Sequence, residues 1–466
     1  MQQTTSTFEH FESALASIAA QVFPVSSESA SGESPQLAIA YSGGLDSSVL
    51  LHLAARYAAT HGIKLFAFHI HHGISPNADQ WHAHCSDACA KLGVEFDARR
   101  IQLGNTDKSG VEEAARISRY AALGELCRLH RVPLLLTAHH LDDQAETVLL
   151  QLLRGSGVAG LSGMDSLNAA PDLLGDAALL MARPLLKLSR AALEEVCGSQ
   201  HIAYIEDESN HDQRYARNAL RHQVMPVLAQ YFSGFQERFS RTAGHMQSGQ
   251  KLLIELAAQD MAVCADGECI DLDRLRLLSA DRIDNLLRYW FGLHRLRMPS
   301  SAWLSEMRQQ LLEAKADAQL CVTHPDCHIR RHRNRVFLTP RDDADRSEME
   351  PQIFRWSGES EMHFPAYGGV MHFDVAEQGI AADWLREQPL QLQYRRGGER
   401  MKLALNRPTK SLKYHYQACD VPAWERERLP LVSSAKQLLF AAGIGMDCHH
   451  LAPTPGAHIV FRWQAN

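Results

Sequence analysis

No stretch of the 466-residue chain runs uninterrupted in apolar residues for the roughly 18 positions that a membrane helix requires, which excludes a helical anchor. No Lys or Arg precedes the apolar positions of the opening MQQTTSTFEHFESALASIAAQVF, so an export signal is not expected either. The ten cysteines include no CxxC pair. Cys85 and Cys89, Cys264 and Cys269, and Cys321 and Cys327 each lack the second Cys or His pair of a zinc module, so reduced thiols and a cytoplasmic location are expected. The glycine turn in AYSGGLDSSVL (40–50) is neither a GxxxxGK[ST] loop, whose lysine it lacks, nor GxGxxG, and the chain has no internal repeat. Positive charge is short as well. A formal net charge of −7 argues against a chain that coats nucleic acid indiscriminately.

What is present is ordinary globular composition, 45% apolar and 22% charged, in a chain long enough for several cores. LAIAY at 37–41 reads as a short buried strand. After the glycines, Val49, Leu50, Leu53 and Tyr57 share one helical face until Gly62. The alternation continues with a strand at 64–70, a helix at about 77–92, a strand at 94–103, a helix at about 109–130, a strand at 133–138 and a helix at about 141–154. Such alternation predicts an α/β fold with a doubly wound, mostly parallel sheet. Long helical patterns follow from about 215, and the acidic RDDADRSEME at 341–350 serves as a linker to a smaller mixed domain. The expected division is residues 1–220, 221–345 and 346–466. The glycine-rich RGSGVAGLSGM at 154–164 is expected to be a mobile loop near the site.

The segment AYSGGLDSSVL carries the chemistry. A strand, a glycine turn and a helix leave the first helical N–H groups without partners at the positive end of the dipole, where anions bind. Gly43 and Gly44 allow close approach, and Ser42, Ser47 and Ser48 add hydroxyls. Asp46 would repel phosphates unless it holds a magnesium ion that bridges acid and phosphate. In this position SGGLDS resembles the pyrophosphate-binding loop of the PP-loop ATP pyrophosphatases, which cleave ATP between its α and β phosphates. Downstream, in HHLDDQAETVLLQLL, Asp142 and Glu146 are four apart and Asp143 and Glu146 three apart, on one face at a helix start. That placement suits cation binding, although acids favour a first helical turn in any case.

Together, EEAARISRY, TAHHLDDQAET, RGSGVAGLSGM, RPLL (183–186) and EDESNHDQRYARNALR (206–221) resemble, in order and spacing, the motifs of the bacterial tRNA(Ile)-lysidine synthetases. The similarity covers nearly all of residues 37–221, and RRGGERMKL…SLKYHYQACDVPAWERERLPL resembles that family's last domain. The resemblance implies a PP-loop catalytic domain, a helical domain and a small mixed α/β domain, the last two binding tRNA. It implies a ligase that adenylates O2 of the wobble cytidine of tRNA(Ile) with a CAU anticodon, after which an amine of free L-lysine displaces AMP. The cofactors would be ATP and magnesium, held by Ser42, Gly43, Gly44, Leu45, Asp46 and Ser47, with Asp46 on the metal. Asp142, Asp143 and Glu146 would bind lysine, and Arg217 and Arg221 would contact substrate or RNA. Asp46, Arg116, Asp143 and Glu146 would be catalytic: an acid helps deprotonate an amine of ordinary pKa near 10.4, and Arg116 neutralises charge on the adenylated intermediate. A homodimer is an admissible assembly.

In the C-terminal stretch, Arg395, Arg396, Arg400, Lys402, Lys410 and Lys413 lie near Tyr394, Tyr414 and Tyr416, a candidate RNA surface as against a merely solvated face. The run HIRRHRNRVF carries Arg330, Arg331, Arg333 and Arg335, with the same two readings. His69, His71, His72, His139 and His140 are read as neighbours of phosphate or base, since no third ligand of proper spacing accompanies them. Two other functions compete. One is a PP-loop tRNA sulfurtransferase, disfavoured by the missing CxxC; the other is a non-catalytic RNA-binding protein, disfavoured by the intact Asp46, Asp143 and Glu146.

Overall fold

The computed structural model describes residues 2–23, 34–71, 73, 77–101, 111–206, 216–315, 320–341, 349–435, 437–451 and 457–465. His72, most of the linker at 341–350, residues 207–215 of the 206–221 motif and the side chains of 111–113 fall outside them. Two compact units divide the chain, Met1–Leu256 and Ala257–Asn466.

The first unit opens with α1 (Gln2–Val22), whose Phe8, Phe11, Leu15 and Ile18 recur at helical spacing and are buried. Each such side chain contributes about 1.5–3 kcal/mol on burial. Then come β1 (Gln36–Ala40), α2 (Leu45–His61), β2 (Lys64–His71), α3 (Ala78–Leu92), β3 (Glu95–Arg100), α4 (Val111–Leu129), β4 (Leu134–Leu136) and α5 (Leu141–Leu153). After these lie α6 (Val158–Leu161), β5 (Leu167–Ala169), α7 (Pro171–Leu174), β6 (Leu180–Ala182), α8 (Arg190–Ser199), α9 (Ala216–Ala219), a π-helical turn at Leu220–Val224, α10 (Met225–Tyr231) and α11 (Phe235–Cys264).

The sheet order is β3-β2-β1-β4-β6-β5, parallel except for β5 at the edge. Both faces are covered. One core joins β1 to α1, α2 and α8, and the other packs Phe66, Phe68, Tyr120, Leu126 and Leu135 on the opposite side. The chain leaves β1 toward β2 and β3 on one side and returns to β4 and β6 on the other, so β1 and β4 flank a switch point, where a crevice opens beyond their carboxyl ends. Both segments singled out by the sequence, Ser42–Ser47 and Thr137–Glu146, start there.

The segment at 154–164 is held in place rather than loose. Gln144 donates to Met164 O (3.0 Å) and accepts from Met164 N (2.8 Å), and Gln247 donates to Ser162 O and Met164 O. These carboxamides take up backbone groups that glycine-rich chain leaves open.

In the second unit the helical region packs the rest of α11 and helices Ala280–Leu293 and Ser301–Glu313 on a five-stranded antiparallel sheet. The C-terminal part holds an antiparallel sheet of five strands, one of four and a two-stranded hairpin. Among the described residues no helix is long and apolar enough to cross a membrane.

Candidate active site

Gly43 has φ +85°, a left-handed backbone that glycine takes without strain. A Cβ there would lie 2.9 Å from Cys85 Sγ and 3.0 Å from Ile205 Cδ1, so glycine is required for space as well. Gly44 is the N-cap of α2, and no side chain caps that helix, so its leading amides keep their pull on an anion. The hydroxyls shape the turn: Ser47 Oγ donates to Gly44 O (3.0 Å), Ser48 Oγ to Gly43 O (3.2 Å), and Ser42 and Ser47 hydroxyls lie 3.0 Å apart. Leu45, the first residue of α2, points its side chain into the core.

Asp46 divides its two oxygens. Oδ2 accepts from Arg190 Nη1 at 2.6 Å, while Oδ1 is shut off from water with no hydrogen-bond partner, 3.8 Å from His140 Nε2. Burial raises the carboxyl's pKa against the opposing charges of His140 and Arg190. An unpartnered buried carboxylate oxygen beside an anion cradle fits a divalent cation.

At the start of α5, His140 N donates to Asp143 Oδ2 (3.1 Å), an acid in the third helical position reaching back to the N-cap. Asp142 turns aside: Oδ2 accepts from Arg190 N (2.8 Å) and Oδ1 from Gln236 Nε2 (3.1 Å), tying α5 to α8 and α11. Asp143 and Glu146 face inward toward Arg217 and Arg221. Asp143 Oδ1 accepts from Arg217 Nη2 (3.2 Å) and Arg221 Nη2 (3.0 Å). Glu146, 1% exposed, accepts from Arg217 Nε (2.9 Å), Arg221 Nε (2.6 Å) and Arg221 Nη2 (2.9 Å). Arg221 lies in the π-helical turn, a local widening common at functional sites. Burial opposes ionisation of Asp143, yet His140, Arg217, His139 and Arg221 outweigh it and hold the carboxyl below the usual range. Burial likewise disfavours the Arg221 cation, and Glu146 and Asp143 outweigh it in turn.

Six sequence-predicted residues, Asp46, Asp142, Asp143, Glu146, Arg217 and Arg221, are therefore joined in one cluster. Arg116 is not joined to it by any contact among the described residues; its guanidinium lies 5.1 Å from the Tyr120 ring centre, and its charge reaches His139. Burial, and the charges of Arg183, Arg217 and Arg116, keep His139 neutral against the pull of Asp143. His69 instead bonds Tyr41 O (3.0 Å) and His71 bonds Asp79 (3.0 Å), on the β2 side of the sheet.

Sequence reasoning missed Arg190, which faces both Asp46 and Asp142. Ser189, an N-cap whose side chain accepts from Ala192 N, was the available signal that a helix starts beside RPLL. It also missed Cys85, under the glycine turn. Burial pushes the Cys85 thiol up to about 12, which leaves it protonated and a poor sulfur nucleophile.

The candidate RNA residues belong to the second unit. Arg396, Arg400, Lys410 and Lys413 are exposed; Arg395 and Lys402 are half-buried, and Arg395 pairs with Glu399 at 3.5 Å. Tyr394 and Tyr416 are buried, their hydroxyls on Tyr367 O and Ala442 O, so of the three tyrosines only Tyr414 is open to a base. The arginines of HIRRHRNRVF are engaged internally: Arg331 donates to Ala314 O, Arg330 lies over Trp424, and Arg333 and Arg335 pair with Asp420 and Asp266.

A strand, a glycine turn and an uncapped helix at a switch point, with an acid poised over the helix start, define a PP-loop ATP-using enzyme, and a PP-loop domain matches residues 10–228. A TilS substrate binding domain matches residues 270–337, and a TilS substrate C-terminal domain residues 390–463. The chain belongs to the tRNA(Ile)-lysidine synthase family. It is 39% identical to the tRNA(Ile)-lysidine synthase of Ralstonia nicotianae over 92% of this chain and 93% of that one, and 38% identical to that of Burkholderia pseudomallei over the same shares. Among solved structures, the U34-tRNA thiolase NcsA from Methanococcus maripaludis with its [4Fe-4S] cluster covers 52% of this chain and 78% of that one at 16% identity and a TM-score of 0.42.

Proposed function

We propose that the protein ligates free L-lysine to C2 of the wobble cytidine of tRNA(Ile) with a CAU anticodon, at the expense of ATP. The supporting observation is the juxtaposition of the uncapped α2 start with the Asp143–Glu146–Arg217–Arg221 cluster, bridged by His140, which lies 3.8 Å from Asp46 and 3.4 Å from Asp143. Oxygen on C2 of cytosine is a poor leaving group. It attacks the α-phosphorus of ATP, pyrophosphate departs, and the oxygen then leaves with AMP when a lysine amine adds to C2 and loses a proton.

Ser42, Gly43, Gly44, Leu45 and Ser47 hold the phosphates through the turn and its amides. Asp46 would hold magnesium, which would supply charge neutralisation on the phosphates. Lysine presents one carboxylate and two ammonium groups, and a cluster of two acids and two arginines answers both signs. Both acids are occupied by guanidinium in the structure, so lysine binding requires an arginine to exchange a carboxylate for an anion, which substrate carboxylate, ATP and RNA all provide. Asp143, held ionised, anchors positive charge; Glu146 takes the proton of the attacking amine. Asp142 fixes α5 in place, and Arg116 adds positive potential for the adenylate. The segments after the catalytic domain, 221–345 and 346–466, bind the tRNA, the exposed Arg396, Arg400, Lys410 and Lys413 with Arg395 and Lys402 meeting its backbone. A cytoplasmic protein, monomeric or homodimeric, fits this role.

The test is incubation with ATP, magnesium, radiolabelled lysine and an unmodified tRNA(Ile) CAU transcript. Label should enter RNA only with ATP and resist mild alkali. Label lost as an ester from the 3′ end would mean aminoacylation, and incorporation of sulfur instead of lysine would make the protein a sulfurtransferase.

A further inference from the structure

The five-stranded C-terminal sheet has two unlike faces. Leu390, Leu392, Val432 and Phe440 enter the main core of this part of the chain. On the opposite face, Ile353, Gln391, Ser433 and Leu438 form a row across four adjacent strands, with Gln393 beside it. One end of that face is covered by a small core of Met401, Leu412, Tyr416, Leu431 and Ala441, built from the basic stretch itself. The remainder is open and forms a cavity of about 440 Å³ floored by Gln391, Gln393, Ser433 and Leu438 and walled by the turn that ends in Arg400.

That turn is held firmly. Glu399 accepts from Arg396 N (2.7 Å) and Gly397 N (2.9 Å), and Gly397 and Gly398 both take positive φ. Its acid is thereby engaged by backbone, while Arg396 and Arg400 stay exposed and Arg400 lines the cavity. The carboxamides of Gln391 and Gln393 have no hydrogen-bond partner among the described residues. Ile353, next to Gln391, is 73% exposed.

We propose that this cavity takes one unpaired nucleotide of the RNA substrate, with adenine as the preferred base; the proposal rests on the tRNA-modifying reading above. A carboxamide offers one donor and one acceptor side by side, the complement of adenine N6 and N7. Unpaired bases are read on such edges, and the second carboxamide and the Ser433 hydroxyl suit a ribose 2′-hydroxyl. Leu438 and Ile353 supply apolar surface for the base, and Arg396 and Arg400 meet the flanking phosphates. A duplex would leave the floor of the cavity unused.

The test uses the full chain and fluorescein-labelled pentaadenylate and pentauridylate RNA, followed by anisotropy at two salt concentrations. Pentaadenylate should bind about tenfold tighter, the discrimination of one paired edge contact. The double variant Gln391→Leu/Gln393→Leu should reduce that preference to within about twofold while the salt dependence, set by the arginines, persists. Gln391→Glu/Gln393→Glu, which keeps the shape and removes the donors, should lose it as well and serves if the first variant folds poorly. Equal affinity of the two oligomers for the wild-type chain, or a preference that survives both substitutions, overturns the proposal. Lysine transfer by the same wild-type preparation reports separately on the proposed function.

Discussion

Replacing Glu146 by Gln tests whether the four-residue cluster both holds the fold and binds lysine. The carboxylate takes three guanidinium N–H groups at 2.6–2.9 Å in a place that water does not reach. Stripping one partner from a buried ion pair costs about 3–5 kcal/mol. Here Asp143 still engages both arginines, whose side chains are 31% and 36% exposed and relax toward solvent, and Gln keeps one acceptor. The net cost is therefore about 2 kcal/mol. For a unit the size of Met1–Leu256, that lowers the melting temperature by about 4–8 °C in calorimetry. If the acid also meets the attacking amine of lysine and takes its proton, kcat falls and KM for lysine rises about 10- to 100-fold while KM for ATP holds, since about 1.4 kcal/mol is a factor of ten. An unchanged melting temperature with an unchanged KM for lysine refutes both halves of the reasoning, and a lower melting temperature with an unchanged KM refutes the binding half.

Gly43→Ala combines a left-handed backbone with a Cβ 2.9 Å from Cys85 Sγ, so nucleotide affinity measured by calorimetric titration should fall at least tenfold; full affinity contradicts the cradle. Brief iodoacetamide treatment of the native protein should label the exposed Cys321 and Cys419 and spare Cys85, as read by peptide mass spectrometry; early Cys85 labelling would revive a sulfur-carrying role. Asp326, held down to about 2 by its hydrogen bonds with Arg297, contributes stability that is present above the ordinary carboxylate pKa near 3.8 and is lost as pH falls toward 2. Asp326→Asn should therefore lower the melting temperature at pH 6 and converge on the wild type near pH 2, and a constant difference across that range would contradict the assignment.

Much of the catalytic half was legible because periodicity and turn chemistry are local. The run LAIAY, the two glycines and the apolar spacing after them predicted β1, the turn and α2, and DDQAET predicted acids at a helix start. Pairings between distant segments were not legible. Nothing in the spacing of Asp46 and Arg190, 144 positions apart, announces a 2.6 Å contact, and Asp142 and Asp143 look equivalent until α8 and α11 claim the first. The aromatic residues of the basic stretch misled for a related reason: tyrosine suits both a base platform and a core, and burial decided for the core at Tyr394 and Tyr416. The strands within the helical region are short and rich in arginine, so alternation alone did not reveal their pairing.

The central claim is that the amides at the start of α2 receive the phosphates of ATP under Asp46. A crystal structure with a non-hydrolysable ATP analogue and magnesium tests it most directly. Phosphate oxygens should lie within hydrogen-bond distance of the amides between Gly43 and Ser47, with magnesium joining them to Asp46 Oδ1. Phosphates bound elsewhere, with those amides unchanged, would contradict the account.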